Sequence, residues 1–249
     1  MPVLAADVGY YCSLLMPEDD VSPSGGGIDV TSMFAPFTEL DVTGQLEIVS
    51  SNVADTAQTA TLTYRDSAGV IQTNAKTMNG TTAVAFTPTN VERVLKIVLS
   101  AAAVGIVTLQ KFGAGTVQVA MAAGVTTARR LFYDSSAEAA GGAQRDYYDK
   151  VFIKNEHASL AVTVAQILQG ADPSGNVTFA VALAKDDTVQ TANRLTAPPT
   201  ITFDDTPKAV PTNQVGAAEA IAVWLKFTLA AGAAAAKTSY TPQLTGKSA

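Results

Sequence analysis

The chain has 249 residues, of which only 15% are charged, with a formal net charge of −6, one cysteine and one histidine. Soluble domains ordinarily carry about 25% charged residues, so a surface this sparse suggests one partly covered in an assembly. The acidic balance excludes the basic footprint of a nucleic-acid binder, and a lone Cys12 excludes both an intramolecular disulfide framework and a cysteine-based zinc knuckle. Apolar residues reach 47%, but much of that is alanine and aromatics are only 7%. Alanine buries little area, so thin cores are expected, with part of the stability supplied by neighbouring subunits.

The chain opens with MPVLAADVGYYCSLLMPEDD, which lacks a basic start followed by an uninterrupted apolar stretch. No secretory signal is predicted, and the expectation is a chain made in a cytoplasm. Val3–Leu15 is a small apolar patch with two tyrosines, followed by PEDDVSPSGGG over Pro17–Gly27, a Pro/Ser/Gly stretch of the kind that forms flexible tethers. An apolar end on such a tether is either a strand docked locally or an arm docked on a neighbour. Residues 1–35 are assigned as an extended N-terminal arm and tether, with Leu4, Val8, Tyr10, Tyr11, Leu14 and Leu15 as candidate partner-binding side chains.

Short strands dominate from there on. They are predicted over Gln45–Ser50, Gln58–Tyr64, Ala83–Thr87, Val94–Ser100, Gly105–Gln110 and Thr116–Ala120. The series resumes with Lys150–Lys154, Leu160–Gln169, Val177–Leu183 and Ile221–Leu229. Turn formers separate them at Asp66–Gly69, Asn79-Gly80, Asp172–Gly175 and near Pro198. Many short strands punctuated every 8–12 residues or so predict a sandwich or barrel. Asn79-Gly80 predicts a two-residue hairpin of type I′, which needs positive φ at both positions. SSAEAAGGAQ over Ser135–Gln144 is too glycine-rich for a long helix and reads as a linker. The fold class is therefore all-β, with two β-sandwich domains, Ig-like or jelly-roll-like, over 36–125 and 146–249, joined by a linker at 126–145. An echo between Gln45–Val70 and Lys150–Val177, strand, Asn, bend, strand and Asp-x-x-Gly, reads as two solutions to the same hairpin problem rather than as duplication.

Candidate chemistry is sparse. Asn155-Glu156-His157 holds the only histidine. Neighbours in an extended chain point to opposite faces, and no second histidine completes a metal set, so the trio reads as a polar bend between strands. The acidic pairs Asp19-Asp20, Asp186-Asp187 and Asp204-Asp205 do not match a calcium loop and read as solvated turns, with Ca²⁺ shared between subunits as the alternative. PSGGGID and FGAG lack the Gly-Lys-Ser/Thr of a phosphate loop. Arg129 and Arg130, with Arg145 and Lys150, form the one basic cluster; they pair either with Asp134, Glu138, Asp146 and Asp149 or with an acidic neighbour, and Arg129 and Arg130 join the candidate partner-binding set. Trp224 in IAVWLKFTL reads as a core anchor rather than a sugar platform. No apolar run approaches the roughly 18 residues of a spanning helix, the alanine run at 230–236 included.

Several of these stretches resemble tailed-bacteriophage virion structural proteins. They are RDYYDKVFIKNEHASLAVTVAQILQGADPSGNVTFAVA (Arg145–Ala182), PPTITF (Pro198–Phe203) and AIAVWLKFTLAAGA (Ala220–Ala233). LTYRDSAGVIQTNAKTMNGTTAVAF with VERVLKIVLSAAAVGIVTLQ is similar to the Thr/Ala-rich sandwich modules of such particles, as AADVGYYCS is to their N-terminal segments. The linker with Gly141-Gly142 matches no such pattern. The resemblance implies a protein of the phage virion that binds and stabilises the capsid exterior as a cement or decoration protein. Its implied partners are the major capsid protein and further copies of itself in a homo-oligomer. No catalytic residue, cofactor, metal, nucleic acid or membrane is implied. A tail, neck or baseplate component and a host-glycan-binding module are the alternatives.

Overall fold

The computed structural model describes residues 2–172, 174–234 and 240–249. Pro173 of the predicted Asp172–Gly175 turn and part of the alanine run at 230–236 lie outside them. The described residues contain strands and two 3₁₀ turns and no α-helix. The chain divides into two compact units, one of residues 30–130 and one of residues 1–29 with 131–249.

In chain order the strands begin with β1 (Val8–Leu15), β2 (Ser24–Phe34), β3 (Leu46–Ser50), β4 (Thr59–Asp66) and β5 (Ile71–Thr77). They continue with β6 (Val84–Ala85), β7 (Val91–Leu99), β8 (Val107–Lys111), β9 (Val117–Met121) and β10 (Thr127–Arg129). After these come β11 (Arg145–Asn155), β12 (Val162–Ala171), β13 (Val177–Lys185) and β14 (Gln190–Thr191). The last are β15 (Lys208–Ala209), β16 (Gln214–Val215), β17 (Ala220–Leu229) and β18 (Thr241–Ser248).

The unit of residues 30–130 is a sandwich. One sheet runs from the second half of β2 through β10, β7 and β4 to β5, and the other runs β6-β3-β8-β9. Period-2 alternation explains its core, because alternate side chains of a strand share a face. Ala60, Leu62 and Tyr64 of β4 and Leu46 and Ile48 of β3 all enter one cluster with Phe86, Ile97, Leu99, Val107 and Leu109. In β7 the register slips opposite Thr63 and Tyr64. That bulge changes the phase of the strand, so Val94 and Ile97 both reach the core despite their odd spacing.

Asn79-Gly80 departs from the predicted hairpin. Only Gly80 has positive φ, at 56°. The flanking strands do not pair with one another, since β5 pairs with β4 and β6 with β3. The turn therefore carries the chain from one sheet to the other. Glycine is needed there because a Cβ at Gly80 would lie 2.6 Å from the Val53 carbonyl oxygen.

The other unit contains a sheet ordered β13-β17-β11-β1-β2, whose β2 portion also pairs with β14. A second sheet centres on β12, with β15 and β16 on one edge and β18 on the other. β11 and β17 pair over ten residues, from Arg145↔Leu229 to Lys154↔Ala220.

The predicted extended arm is corrected here. β1 lies inside the sheet, antiparallel to β11 from Val8↔Asn155 to Cys12↔Val151. The reason is satisfaction of backbone groups: β1 completes the second edge of β11 and buries Cys12 and Ser13. The end of the predicted tether, Ser24–Gly27, is the start of β2. Gly25 has φ 101°, and a Cβ there would meet the Trp224 ring at 2.7 Å. The glycine serves close approach, not flexibility. The predicted linker contains β10, and Leu131, Phe132 and Tyr133 beyond it are buried.

Candidate interaction surfaces

The Asn155-Glu156-His157 trio is a bend held by its own side chains. Asn155 is fully buried, and its amide nitrogen donates to the carbonyls of Leu160 at 2.8 Å and Gly216 at 3.0 Å. Its Oδ1 accepts the His157 N–H at 3.1 Å. His157 Nδ1 accepts the N–H groups of Ser159 and Leu160 at 3.2 and 3.0 Å. The imidazole therefore caps the next turn. Glu156 faces away and accepts the Tyr11 hydroxyl at 2.5 Å. Burial, and then Glu156, push the Tyr11 phenol well above its ordinary range.

The apolar and aromatic partner-binding candidates fall into three settings. Leu4 and Val8 line a cleft of about 190 Å³ with Val3, Ala5, Val162, Leu244, Gly246 and Ser248. The Val3 N–H donates to the Ser248 hydroxyl at 2.8 Å across it. Leu14 is 64% exposed, its side chain resting against Gly27 and its neighbour Leu15 against Gly26. Tyr10 is half-buried, and the Tyr11 ring lies under Lys154 at 5.9 Å.

Arg129 and Arg130 are buried rather than presented at a surface. Arg130 pairs with Glu39 at 2.9 Å, donates to the carbonyls of Val94 and Phe37, and lies over the Phe37 ring. Burial first, and Arg93 next, pull its pKa down to about 10 against the pull of Glu39. Of the expected local pairings in the basic cluster, Arg145–Glu138 forms, and Arg145 also reaches Asp20. A doublet of arginines in sequence does not reveal whether it faces solvent or buried carbonyl oxygens.

Lys150 finds its partner 37 residues away. Its fully buried ammonium lies 2.6 Å from an Asp187 carboxylate oxygen. It also donates to the carbonyls of Gly26, Asp187 and Val189 at 2.7, 2.7 and 3.1 Å. The rings of Phe152 and Trp224 flank it at 5.2 and 5.4 Å. Burial lowers the Lys150 pKa, and Asp187 opposes that. No local signal announces the pair, since Asp187 reads in sequence as one of two turn acids. Trp224 beside it is buried, in keeping with a core anchor and not a sugar platform.

In the remaining acidic pairs, Asp20 pairs with Arg145 while Asp19 and Asp204 serve local structure. Asp19 caps the Val21–Ser22 turn. Asp204 pairs with Lys208, and that contact, followed by Thr206, holds its carboxyl down at about 2. Among the described residues, no group of three or more His, Cys, Asp or Glu is arranged to hold a metal ion.

What the surface offers is strand edge and apolar side chain. β5 ends its sheet, with Ile71 and neighbouring Val70 exposed. Among the described residues, β18 pairs only with β12. Val21, Leu183 and Val164 add exposed apolar area in the larger unit, as does Val104 in the smaller.

No family model matches the chain, and no curated protein matches it. Among solved structures, T=1 particles derived from infectious bursal virus align with a TM-score of 0.17 and 11% identity, over 100% of this chain and 66% of that one. The infectious bursal disease virus VP2 subviral particle aligns with a TM-score of 0.16 and 12% identity, over 100% and 68%. The chain thus spans about two thirds of their length. At such TM-scores neither alignment bears on what this protein does.

Proposed function

We propose that this protein is a structural component of a tailed-phage particle, bound to the capsid exterior as a cement protein and acting through multivalent contacts with the major capsid protein and with copies of itself. One observation carries the reading. Each unit leaves a strand edge without a backbone partner among the described residues, β5 in one and β18 in the other, on a chain with only 15% charged residues. Such edges accept a partner's strand, with main-chain hydrogen bonds giving affinity, and association also protects them from aggregation. Many weak contacts of this kind add through effective concentration. The sequence resemblance to virion proteins supports the same reading.

The test is addition of the purified chain to shells lacking it, with occupancy and shell heat resistance measured. Deleting the first 27 residues is unsuitable, because it removes β1 from its sheet. Ile71→Glu, on the exposed β5 edge, is the better variant. It is expected to leave the melting temperature nearly unchanged and to lower occupancy. Full occupancy with both Ile71→Glu and a charged substitution on β18 removes the edges from the interface. No binding of the unaltered chain removes the capsid assignment in favour of a tail, neck or baseplate position.

A further inference from the structure

We propose that Asp186–Thr191 is a strap that opens independently of the rest of its unit, pinned shut by the Lys150 ammonium over the β2 edge and Trp224. Several attachments of this segment converge on one nitrogen, although the Asp186 N–H also donates to the Ala220 carbonyl at 3.4 Å and the buried Thr191 hydroxyl to the Asn193 carbonyl at 2.8 Å. Lys150 Nζ holds two of its carbonyls, those of Asp187 and Val189, and one carboxylate oxygen of Asp187. The same nitrogen holds the Gly26 carbonyl of β2, so one charge ties the strap to the strand it covers. Beyond it, the Gly26 N–H donates to the Val189 carbonyl at 2.9 Å, and β14 adds two ladder pairs, Gln190↔Gly25 and Thr191↔Ser24.

Apolar anchoring is slight. Val189 is 41% exposed, and Asp186, Thr188 and Gln190 are also exposed. Asp186 has φ 51°, a left-handed conformation unfavourable for a residue with a Cβ, at the point where β13 gives way to the strap. Segments with few buried apolar contacts open below the global unfolding free energy. Beneath and beside the strap lies a hollow of about 70 Å³, lined by Ala182, Leu183, Val189, Pro198, Ile201 and Trp224 among others. Opening uncovers this hollow and the edge of β2 that β14 occupies.

Lys150 supplies the pin because its one nitrogen holds two carbonyls of the strap and one of β2. Without the ammonium, the Gly26 and Asp187 carbonyls lose a donor, the Val189 carbonyl keeps only the Gly26 N–H, and the Asp187 carboxylate loses its counter-ion. Swinging the strap outward hydrates them. An unsatisfied buried acceptor disfavours the closed form by at least about tenfold.

Trp224 is the only tryptophan in the chain, so its fluorescence reads the event directly. The experiment combines acrylamide quenching of Trp224 with amide exchange resolved by peptide, on the full chain and on Lys150→Met. In the unaltered protein the strap amides are expected to exchange faster than those of β11 and β17. Lys150→Met is expected to speed strap exchange at least about tenfold and to raise quenching, with β11 and β17 still protected. If Lys150→Met does not fold, Asp187→Ala, which leaves the lysine and its carbonyls in place, is expected to give the same pattern more weakly. Strap amides that exchange only with global unfolding overturn the proposal. So does a folded Lys150→Met with unchanged strap exchange.

Discussion

The two units keep their stability in different places. The unit of residues 30–130 has a core of alternating apolar side chains, and its buried carboxylates answer to nearby N–H groups. Asp55 accepts the Ser50 hydroxyl at 2.6 Å and the Val104 and Gly105 N–H groups at 2.9 and 3.0 Å. Glu47 accepts Gln110 and the Ala114 N–H at 2.7 and 2.8 Å. The other unit fully buries Lys150, Asp149 and Arg194. Arg194 reaches Asp134 at 2.6 Å and lies 4.8 Å over the Tyr147 ring. Both units hold charge pairs that meet only once the chain has folded, Arg130 with Glu39 in the first and Lys150 with Asp187 and Arg194 with Asp134 in the second, but only in the second is the cation fully buried.

Substitution separates the two modes. Arg194→Met removes the guanidinium 2.6 Å from the Asp134 carboxylate and is expected to cost about 3–5 kcal/mol, measured by denaturant unfolding. Adding Asp134→Leu should recover part of that loss, because an apolar pair replaces a charge pair more cheaply than a lone charge survives. An equal loss in single and double variants would show that packing, not charge, dominates there. In the other unit, Leu62→Ala is expected to cost about 2–5 kcal/mol through the cavity it leaves, with no dependence on salt.

Acid sharpens the contrast further. Ser50 first, then the Val104 and Gly105 N–H groups, hold the Asp55 pKa below its ordinary value. A carboxylate with a depressed folded pKa binds fewer protons folded than unfolded, so its contribution is complete above the unfolded value, about 3.9, and is lost as pH falls through the folded one. Asp55→Asn should flatten the acid limb of the stability curve below about pH 4, followed by circular dichroism. The smallest effect is at Val164, a β-branched residue with φ 51° where β12 and β18 slip register. Val164→Gly relieves that conformation and is expected to stabilise by about 1 kcal/mol or less, read as a small rise in melting temperature.

The same contrast governs what was legible in the sequence. β3, β4, β7, β8, β9, β12, β13 and β17 are readable because each alternates or runs apolar against a core. β5, IQTNAKT, is an edge strand exposed along most of its length, and β18, TPQLTGKS, carries both proline and glycine at an edge; neither shows a period to read. β2 begins SGGG, which in sequence signals flexibility and in the fold permits close packing against Trp224. The His157 bend is legible because a lone histidine between strands has no ligand set to join. Lys150–Asp187 and Arg130–Glu39 are not, since partners 37 and 91 residues apart are fixed by topology rather than spacing.

The order in which the chain is made bears on the placement of β1. Cys12 pairs with Val151, so when β1 leaves the ribosome its partner strand has yet to be translated. At bacterial-like elongation of about 5–20 residues per second, the wait is roughly 7–28 s, during which residues 30–130 emerge and are free to fold. Until then β1 has only β2 beside it, and the edge that β11 will take, from Val8 to Cys12, stays open on the nascent polypeptide.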